Sequence, residues 1–256
     1  MSEQPPHVVA VVSPKGGVGK TTVVANLAAA VAARGRAPIL VDLDPQNSSR
    51  LYHKMPLDDS RGLAVQSLCD ESWADAIFDG PFGVRCLPYG NITEKDRSGV
   101  EALVEDREDW LTDGLKQLPV GEQGLIILDT PPGGTVYLSH ALRAADLIIF
   151  VMLPDAASFV TLPTTDRWLA EFPEQSFHRP RAFVLLNRMN NARSLCRDVQ
   201  TAMSEQLGER MIPDPVHFDT AVEEALASQQ PITEYAPDGV AAGDFRQLAD
   251  WLLEQI

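Results

Sequence analysis

Short apolar segments rich in Val, Ile and Leu recur along the chain, and longer segments with the apolar period of a helix lie between them. A segment that is apolar at almost every position predicts a strand buried on both faces, as in parallel sheets. Five segments have this pattern: residues 8–12, 38–43, 124–129, 146–153 and 181–187. Residues 84–89 and 210–213 are weaker candidates. The pattern predicts an α/β fold: a mostly parallel twisted sheet of about seven strands with helices on both faces.

Segments of helical period separate these strands. The first, residues 22–34, is rich in Ala and ends before Gly35, a residue suited to the left-handed conformation that closes helices. Further helices are predicted at residues 101–118, 136–145, 156–171, 193–207, 219–228 and 244–256. No Ser/Gly-rich linker and no repeat divides the 256 residues, so we expect a single domain covering residues 1–256.

The charge balance restricts the expected partners. Lys and Arg total 21 and Asp and Glu total 36, which gives a net charge of −15. Binding to nucleic acid needs a basic face that neutralises phosphates, so nucleic acid is not an expected partner. Residues 94–109 carry seven acidic and three basic side chains, a composition typical of a solvated helix face.

The expected location follows from what the sequence lacks. No basic residue precedes the first apolar segment, and no apolar stretch reaches the ~18 residues that span a bilayer. The three cysteines form no CxxC pair, which favours a reduced compartment. We therefore expect a soluble cytoplasmic protein that reaches the inner membrane or a cell pole only through partners.

The most informative motif follows the first predicted strand. Residues 13–22 read SPKGGVGKTT and run into the first helix. A strand, a glycine-rich turn and a helix N-terminus together direct backbone N–H groups and the positive end of the helix dipole at one anion. In such a phosphate loop, Lys20 reaches the β- and γ-phosphates, Thr21 places its hydroxyl on Mg²⁺ and Thr22 contacts the α-phosphate. The predicted nucleotide-binding residues are Lys15, Gly16, Gly17, Val18, Gly19, Lys20, Thr21 and Thr22.

The loop departs from the usual GxxxxGK[ST] pattern, because Pro14 replaces the first glycine and Lys15 follows it. The sequence KGGVGKTT resembles the deviant Walker A motif of the MinD/ParA family of P-loop ATPases. The resemblance implies slow, switch-like hydrolysis of the ATP β–γ bond in a magnesium-dependent homodimer. It also implies that Lys15 reaches the partner's nucleotide, in the manner of an arginine finger.

Two further segments resemble the same family. LVDLDPQNS, residues 40–48, is similar to its first switch segment, in which Asp44 would position the attacking water and Asp42 would support the magnesium hydration shell. LIILDTPPG, residues 125–133, is similar to Walker B and the second switch, with Asp129 beside the metal. The resemblance thus implies Thr21, Asp42 and Asp129 around magnesium, with Asp44, Lys15 and Lys20 as catalytic residues.

Two more residues are assigned to the adenine base by position in the family. Asn187 ends the strand segment AFVLLN and matches a position where relatives recognise adenine. A buried amide that satisfies backbone groups is the alternative interpretation of Asn187. Pro213 is expected to pack against the base.

Longer segments resemble one branch of the family, the BcsQ family of cellulose biosynthesis ATPases. They are TPPGGTVYLSHAL, LPDAASFVTLP and the C-terminal EALASQQPITEYAPDGVAAGDFRQLADWLL. The resemblance implies an accessory factor that assembles or positions the cellulose synthase–secretion complex. Its implied partners are subunits of that complex or a small companion protein.

Alternatives stay open. A ParA-type partitioning ATPase for DNA or another cargo would share the same engine, although the net charge of −15 opposes DNA. A scaffold that holds ATP almost permanently would not need Asp42, Asp44 and Lys15. A lipid-binding C-terminus is disfavoured, since the apolar stripe of residues 244–256 is flanked by acidic groups and is expected to pack onto the domain.

Overall fold

The computed structural model describes residues 6–121, 124–171 and 179–256. Its seven strands are β1 (His7–Val12), β2 (Ile39–Asp42), β3 (Phe78–Asp79), β4 (Arg85–Leu87), β5 (Leu125–Asp129), β6 (Leu147–Met152) and β7 (Arg181–Leu186). They form one sheet in the order β3-β4-β2-β5-β1-β6-β7. The pair β3–β4 is antiparallel, and the other pairs are parallel. This sheet confirms the predicted α/β fold.

Helices cover both faces of the sheet. They are α1 (Lys20–Ala32), α2 (Leu63–Cys69), α3 (Glu94–Asp106), α4 (Trp110–Lys116), α5 (Val136–Ala144), α6 (Ala156–Phe159), α7 (Leu162–Ala170), α8 (Ser194–Leu207), α9 (Ala221–Ala227), α10 (Ile232–Tyr235) and α11 (Val240–Gln255). Short 3-10 helices span Ser49–His53, Trp73–Ala76 and Gly208–Arg210.

Alternation along the strands divides the core into two layers. Val9 and Val11 of β1 pack in the cluster that includes α1 and α11. Val8, Ala10 and Val12 pack in the cluster that includes α4, α5 and α8. Successive side chains of a strand point to opposite faces, so a continuous apolar run fills both layers.

The C-terminal helix α11 packs on the sheet-covering helix α1. Phe245, Leu248 and Leu252 of α11 are buried in the same cluster as the Ala-rich α1. The prediction that this apolar stripe packs onto the domain is therefore confirmed. In the part of the chain that the structure describes, no helix has both the length and the apolar character to cross a membrane.

The sheet contains two differences from the expected strands. The candidate strand at residues 210–213 is wrong: Met211 forms one isolated bridge to Val184. Pro213 has no N–H with which to extend that ladder. The seventh strand is instead β3, a two-residue hairpin partner of β4 that is too short to give an apolar signal.

Two predicted helices are each divided. Residues 101–118 form α3 and α4, because Arg107 is extended and turns the chain so that Trp110 becomes buried. Residues 156–171 form α6 and α7, since Pro163 has no N–H to donate to the carbonyl of Phe159. Helix α3 also begins earlier than expected, where the Thr93 hydroxyl accepts from the Asp96 N–H.

Smaller changes affect helix limits. Helix α1 ends at Ala32 rather than at residue 34, and α11 begins at Val240 rather than at residue 244. Helices α2 and α10 were not predicted, because four to seven residues carry too little periodicity. The N-terminal residues 1–5, which entered the prediction of location, lie outside the described residues.

Candidate functional site

The site lies where parallel strands end at one edge of the sheet. β1 ends at Val12 and leads into the glycine-rich loop, while Asp42 and Asp129 are the last residues of the adjacent strands β2 and β5. Asp42 and Asp129 are register partners, so their side chains emerge together. The carboxyl ends of strands in an open α/β sheet form the usual ligand crevice.

The loop between β1 and α1 has the geometry of an anion cradle. Gly17 and Gly19 have φ of +75° and +90°, a region that disfavours other residues. A Cβ on Gly19 would also lie 2.6 Å from Asn187 Nδ2. Helix α1 begins at Lys20 with no capping side chain and no acidic residue in its first turn. Its first N–H groups therefore favour an anion.

Lys20 brings a buried positive charge to this cradle. Lys20 is only 7% exposed. Burial lowers the pKa of Lys20, and the charges of Asp129 and Asp44 oppose that change. A buried ammonium needs anionic partners, and phosphate oxygens would supply them.

Asp42 and Asp129 form a buried carboxyl pair. Burial, and then the charge of Asp129, raise the pKa of Asp42 well above its usual value. Burial raises the pKa of Asp129 to about 6, although the Thr21 and Ser49 hydroxyls and Lys20 favour its ionised form. The Oδ1 atom of Asp129 is buried and makes no hydrogen bond within the described residues. An orphaned carboxylate oxygen near a threonine hydroxyl fits a hard cation such as Mg²⁺.

The segment after β2 is fastened to Asp42. The Asp44 N–H donates to Asp42 Oδ1 at 2.9 Å, and the Ser49 N–H donates to Asp42 Oδ2 at 3.1 Å. Asp44 accepts the Gln46 N–H through its own Oδ1 and lines a cleft with Pro131 and Pro132. The structure thus places Asp44 of the first predicted switch segment at a cleft that residues of the second segment also line.

Lys15 lies at the mouth of the loop and is half-exposed. Its Nζ is 3.1 Å from Asp155 Oδ2, and Asp155 also caps α6 by accepting the Ser158 N–H. Burial opposes ionisation of Asp155, but the Ser158 and Lys15 hydrogen bonds outweigh it and lower the pKa of Asp155. In a single chain, Lys15 is therefore held by its own α6.

The predicted base-binding residues are not brought together. Asn187 is buried, and its Nδ2 donates to the Val18 carbonyl at 2.8 Å. This contact is the backbone-satisfying role that the sequence left as the alternative. Pro213 lies elsewhere, in a surface depression with Phe183 and Trp251. The expected contact of Pro213 with the base has no support in this placement.

Other side chains occupy the space beside Asn187. Val216 and Phe218 line a small cavity with Asn187 and Thr22, and Phe218 is 49% exposed. The Thr22 hydroxyl lies 2.9 Å from the Tyr52 hydroxyl rather than being free. Two more loop positions have defined surroundings: Gly16 approaches Pro132, and Val18 is buried. Their binding of a nucleotide stays a prediction.

Sequence reasoning missed Ser49, Tyr52 and Asp155. Asp155 carried a local signal, since an Asp before a run of small helix formers is a capping pattern. Nothing local shows that it faces Lys15, which is 140 positions away along the chain. Ser49 and Tyr52 carry no signal, because their contacts depend on how the segment after β2 folds back.

Comparison with known proteins agrees with the architecture. Residues 7–253 match the family described as "Cellulose biosynthesis protein BcsQ". A relative of that name from Salmonella typhimurium is 27% identical over 241 residues, covering 93% of this chain and 91% of its own length.

Solved structures show the same fold. Cobyrinic acid a,c-diamide synthase from Mycobacterium smegmatis, with bound ATP analog and magnesium, has a TM-score of 0.79 and 24% identity. The match covers 97% of this chain and 95% of that one. Septum site-determining protein MinD from Pyrococcus horikoshii, complexed with Mg-ADP, has a TM-score of 0.76 and 22% identity, covering 97% and 96%. The resemblance to MinD/ParA-type proteins is confirmed, and the match over residues 7–253 means that this chain belongs to the BcsQ family.

Proposed function

We propose that the protein is an ATP-dependent, dimerising ATPase that serves as an accessory factor of bacterial cellulose biosynthesis. The observation that carries this proposal is the family match over residues 7–253, joined to a phosphate cradle at the sheet edge. The family description supports the cellulose assignment. The cradle, the buried Lys20 and the orphaned Asp129 oxygen support the ATPase assignment.

The nucleotide would lie along the crevice. The loop amides and Lys20 bind the β- and γ-phosphates, while Thr21 and Asp129 hold Mg²⁺. The metal, when bound, neutralises charge on the phosphate oxygens. Asp42 keeps the segment from Asp44 to Ser49 in place, because its carboxylate accepts hydrogen bonds from the N–H groups of both end residues.

Hydrolysis needs a water in line with the β–γ bond. Asp44 accepts a hydrogen bond from that water and orients its oxygen toward the γ-phosphorus. A new P–O bond forms as the bond to the bridging oxygen breaks, which gives ADP and inorganic phosphate. Turnover is slow, since Asp44 and Pro132 belong to segments that must both order around the nucleotide.

A second copy of the chain would complete the site. Lys15 leaves Asp155 and reaches the partner's phosphates, where its charge stabilises the transition state. Dimerisation then depends on ATP, because the phosphates of the bound nucleotide attract the incoming lysine. The protein works in the cytoplasm and reaches the synthase–secretion complex, at the inner membrane or a cell pole, through protein partners.

The test is a pull-down from the native cytoplasm with the Asp44→Ala variant in the presence of ATP and magnesium. The Asp44→Ala protein is expected to keep ATP bound without hydrolysing it, and therefore to remain dimeric. The matched control is Lys20→Ala, which is expected to lose ATP binding in calorimetry. Cellulose synthase subunits, or a small companion protein, should co-purify with Asp44→Ala and not with Lys20→Ala. Recovery of DNA-partitioning or division proteins instead would overturn the cellulose assignment and leave the ATPase assignment intact.

A further inference from the structure

Ser49 is fully buried at the start of the 3-10 helix after β2. Its hydroxyl donates to Asp129 Oδ2 at 3.0 Å, and its N–H donates to Asp42 Oδ2 at 3.1 Å. One residue therefore holds the carboxylates that end two adjacent strands. Among the described residues between β2 and β3, Ser49 is the one whose side chain donates a hydrogen bond to Asp129.

The Ser49 hydroxyl restricts the orientation of the Asp129 carboxylate, while the Thr21 hydroxyl of α1 also favours its ionised form. With Oδ2 held by Ser49, the plane of the carboxylate cannot rotate freely, and Oδ1 keeps one direction. Oδ1 is the buried atom that has no hydrogen-bond partner within the described residues. A buried carboxylate oxygen left unpaired is unfavourable, and a cation at that point would satisfy it.

The same residue links the metal position to the water-positioning segment. Asp42 grips this segment at both ends, through the N–H of Asp44 and the N–H of Ser49. Within it, the Asn47 N–H donates to the Asp44 carbonyl at 2.8 Å, so the segment is a closed turn. A movement of Asp129 toward a metal is passed to this turn through the Ser49 hydroxyl.

We propose that Ser49 is a positioning residue that aims Asp129 at the magnesium ion of the bound nucleotide and couples the metal to the turn from Asp44 to Ser49. The inference deepens the proposed function and rests on it. A purely structural Ser49 would stabilise the fold without changing the response to magnesium. The two roles therefore separate in a measurement of magnesium dependence.

The experiment measures the affinity of the full-length protein for a fluorescent ADP analogue, first in EDTA and then in saturating magnesium. Ser49→Ala removes the hydroxyl, and Ser49→Thr keeps one. Ser48→Ala is the matched control, because the Ser48 hydroxyl contacts the Gln46 carbonyl and, among the described residues, no carboxylate. Ser49→Ala should lose roughly tenfold or more of the magnesium-induced gain in affinity, the usual effect of removing a partner of a metal ligand. Ser48→Ala and Ser49→Thr should keep that gain.

A second readout follows the coupling itself. Magnesium added to the ADP complex should slow amide exchange at Asp44 and at residues 46–49 of the wild type and of Ser48→Ala, and should not do so in Ser49→Ala. An unchanged magnesium gain in Ser49→Ala would overturn the inference. So would an equal loss of affinity in EDTA and in magnesium, which marks a structural role. Failure of the wild type to bind the analogue in either condition would instead overturn the proposed function.

Discussion

Three ionisable side chains at the crevice are buried: Lys20, Asp42 and Asp129. Lys20, Asp42 and Asp129 each have a pKa shifted toward the neutral form, with burial as the largest cause. At this scale the sequence located the residues that lie in a motif: Lys20 in the phosphate loop between a strand and a helix, and Asp129 in a segment that resembles Walker B. It could not predict Ser49 or the Asn187–Val18 contact, because those depend on segments that meet only after folding.

A buried histidine gives a prediction of pH dependence. His53 has no exposed surface, and both of its ring nitrogens are without a hydrogen bond inside the described region. Burial lowers its pKa to about 4. The unfolded chain, with an ordinary histidine pKa near ~6.5, binds the proton first, so stability falls as the pH drops from about 6.5 to about 4.

Replacing His53 by Leu removes this source of acid sensitivity. Between pH 7 and pH 5, the wild type should lose about 2 kcal/mol more free energy of unfolding than His53→Leu. The carboxyls Asp42 and Asp129 titrate in both proteins and cancel in the comparison. Urea unfolding at the two pH values measures the difference. Equal losses in the two proteins would mean that His53 does not titrate as a buried neutral group.

At the scale of helices and strands, periodicity located the sheet better than it located helix ends. The strands β1, β2, β5, β6 and β7 were predicted because their residues are apolar without interruption. The break between α3 and α4 was missed, because the residues around Arg107 keep a helical pattern while the backbone becomes extended. That break lets Trp110 pack against Trp73, with ring centroids 5.0 Å apart.

Packing of α4 against Trp73 gives a prediction about two glycines. A Cβ on Gly114 of α4 would lie 2.4 Å from the Trp73 ring, whereas a Cβ on Gly243 of α11 would meet nothing within 4 Å. Alanine improves helix propensity by up to ~1 kcal/mol at either position, but overpacking costs ~1–3 kcal/mol. We expect Gly114→Ala to lower the free energy of unfolding by about 1 kcal/mol, while Gly243→Ala leaves it unchanged or raises it. Denaturant unfolding of both variants measures this, and equal effects would contradict the packing described for α4.

At the scale of the whole molecule, the family and the fold could be predicted, since MinD/ParA-type motifs are spread over three strand ends. The partner protein could not be predicted from the residues. A net charge of −15 argues against DNA but does not identify which protein binds this chain. Within the single chain, Lys15 also contacts Asp155 at the start of α6. The sequence could not predict this contact, because the two residues are 140 positions apart. In the proposed dimer, Asp155 and the partner's nucleotide would compete for Lys15.

Weakening the Lys15–Asp155 contact should favour dimers. Asp155→Asn keeps a residue able to cap α6 and removes the charge that holds Lys15. Half-exposed ion pairs are worth ~0–1 kcal/mol, and each of the two protomers gives up one, so the dimer dissociation constant in ATP should fall by at most about thirtyfold. Asp166→Asn is the control, because it removes one negative charge from an exposed pair with Arg210. Sedimentation over a range of protein concentrations measures both. Weaker association of Asp155→Asn than of this control would contradict the competition.

We propose that ATP turns a monomer into a dimer whose active sites share Lys15. Sedimentation velocity of the Asp44→Ala variant with saturating ATP and magnesium tests it most directly. We expect a stable dimer in ATP, a monomer in ADP, and a monomer in both nucleotides once Lys15→Ala is added. An Asp44→Ala protein that binds ATP in calorimetry yet sediments as a monomer would contradict ATP-dependent dimerisation, and a dimer that persists without Lys15 would contradict the shared site.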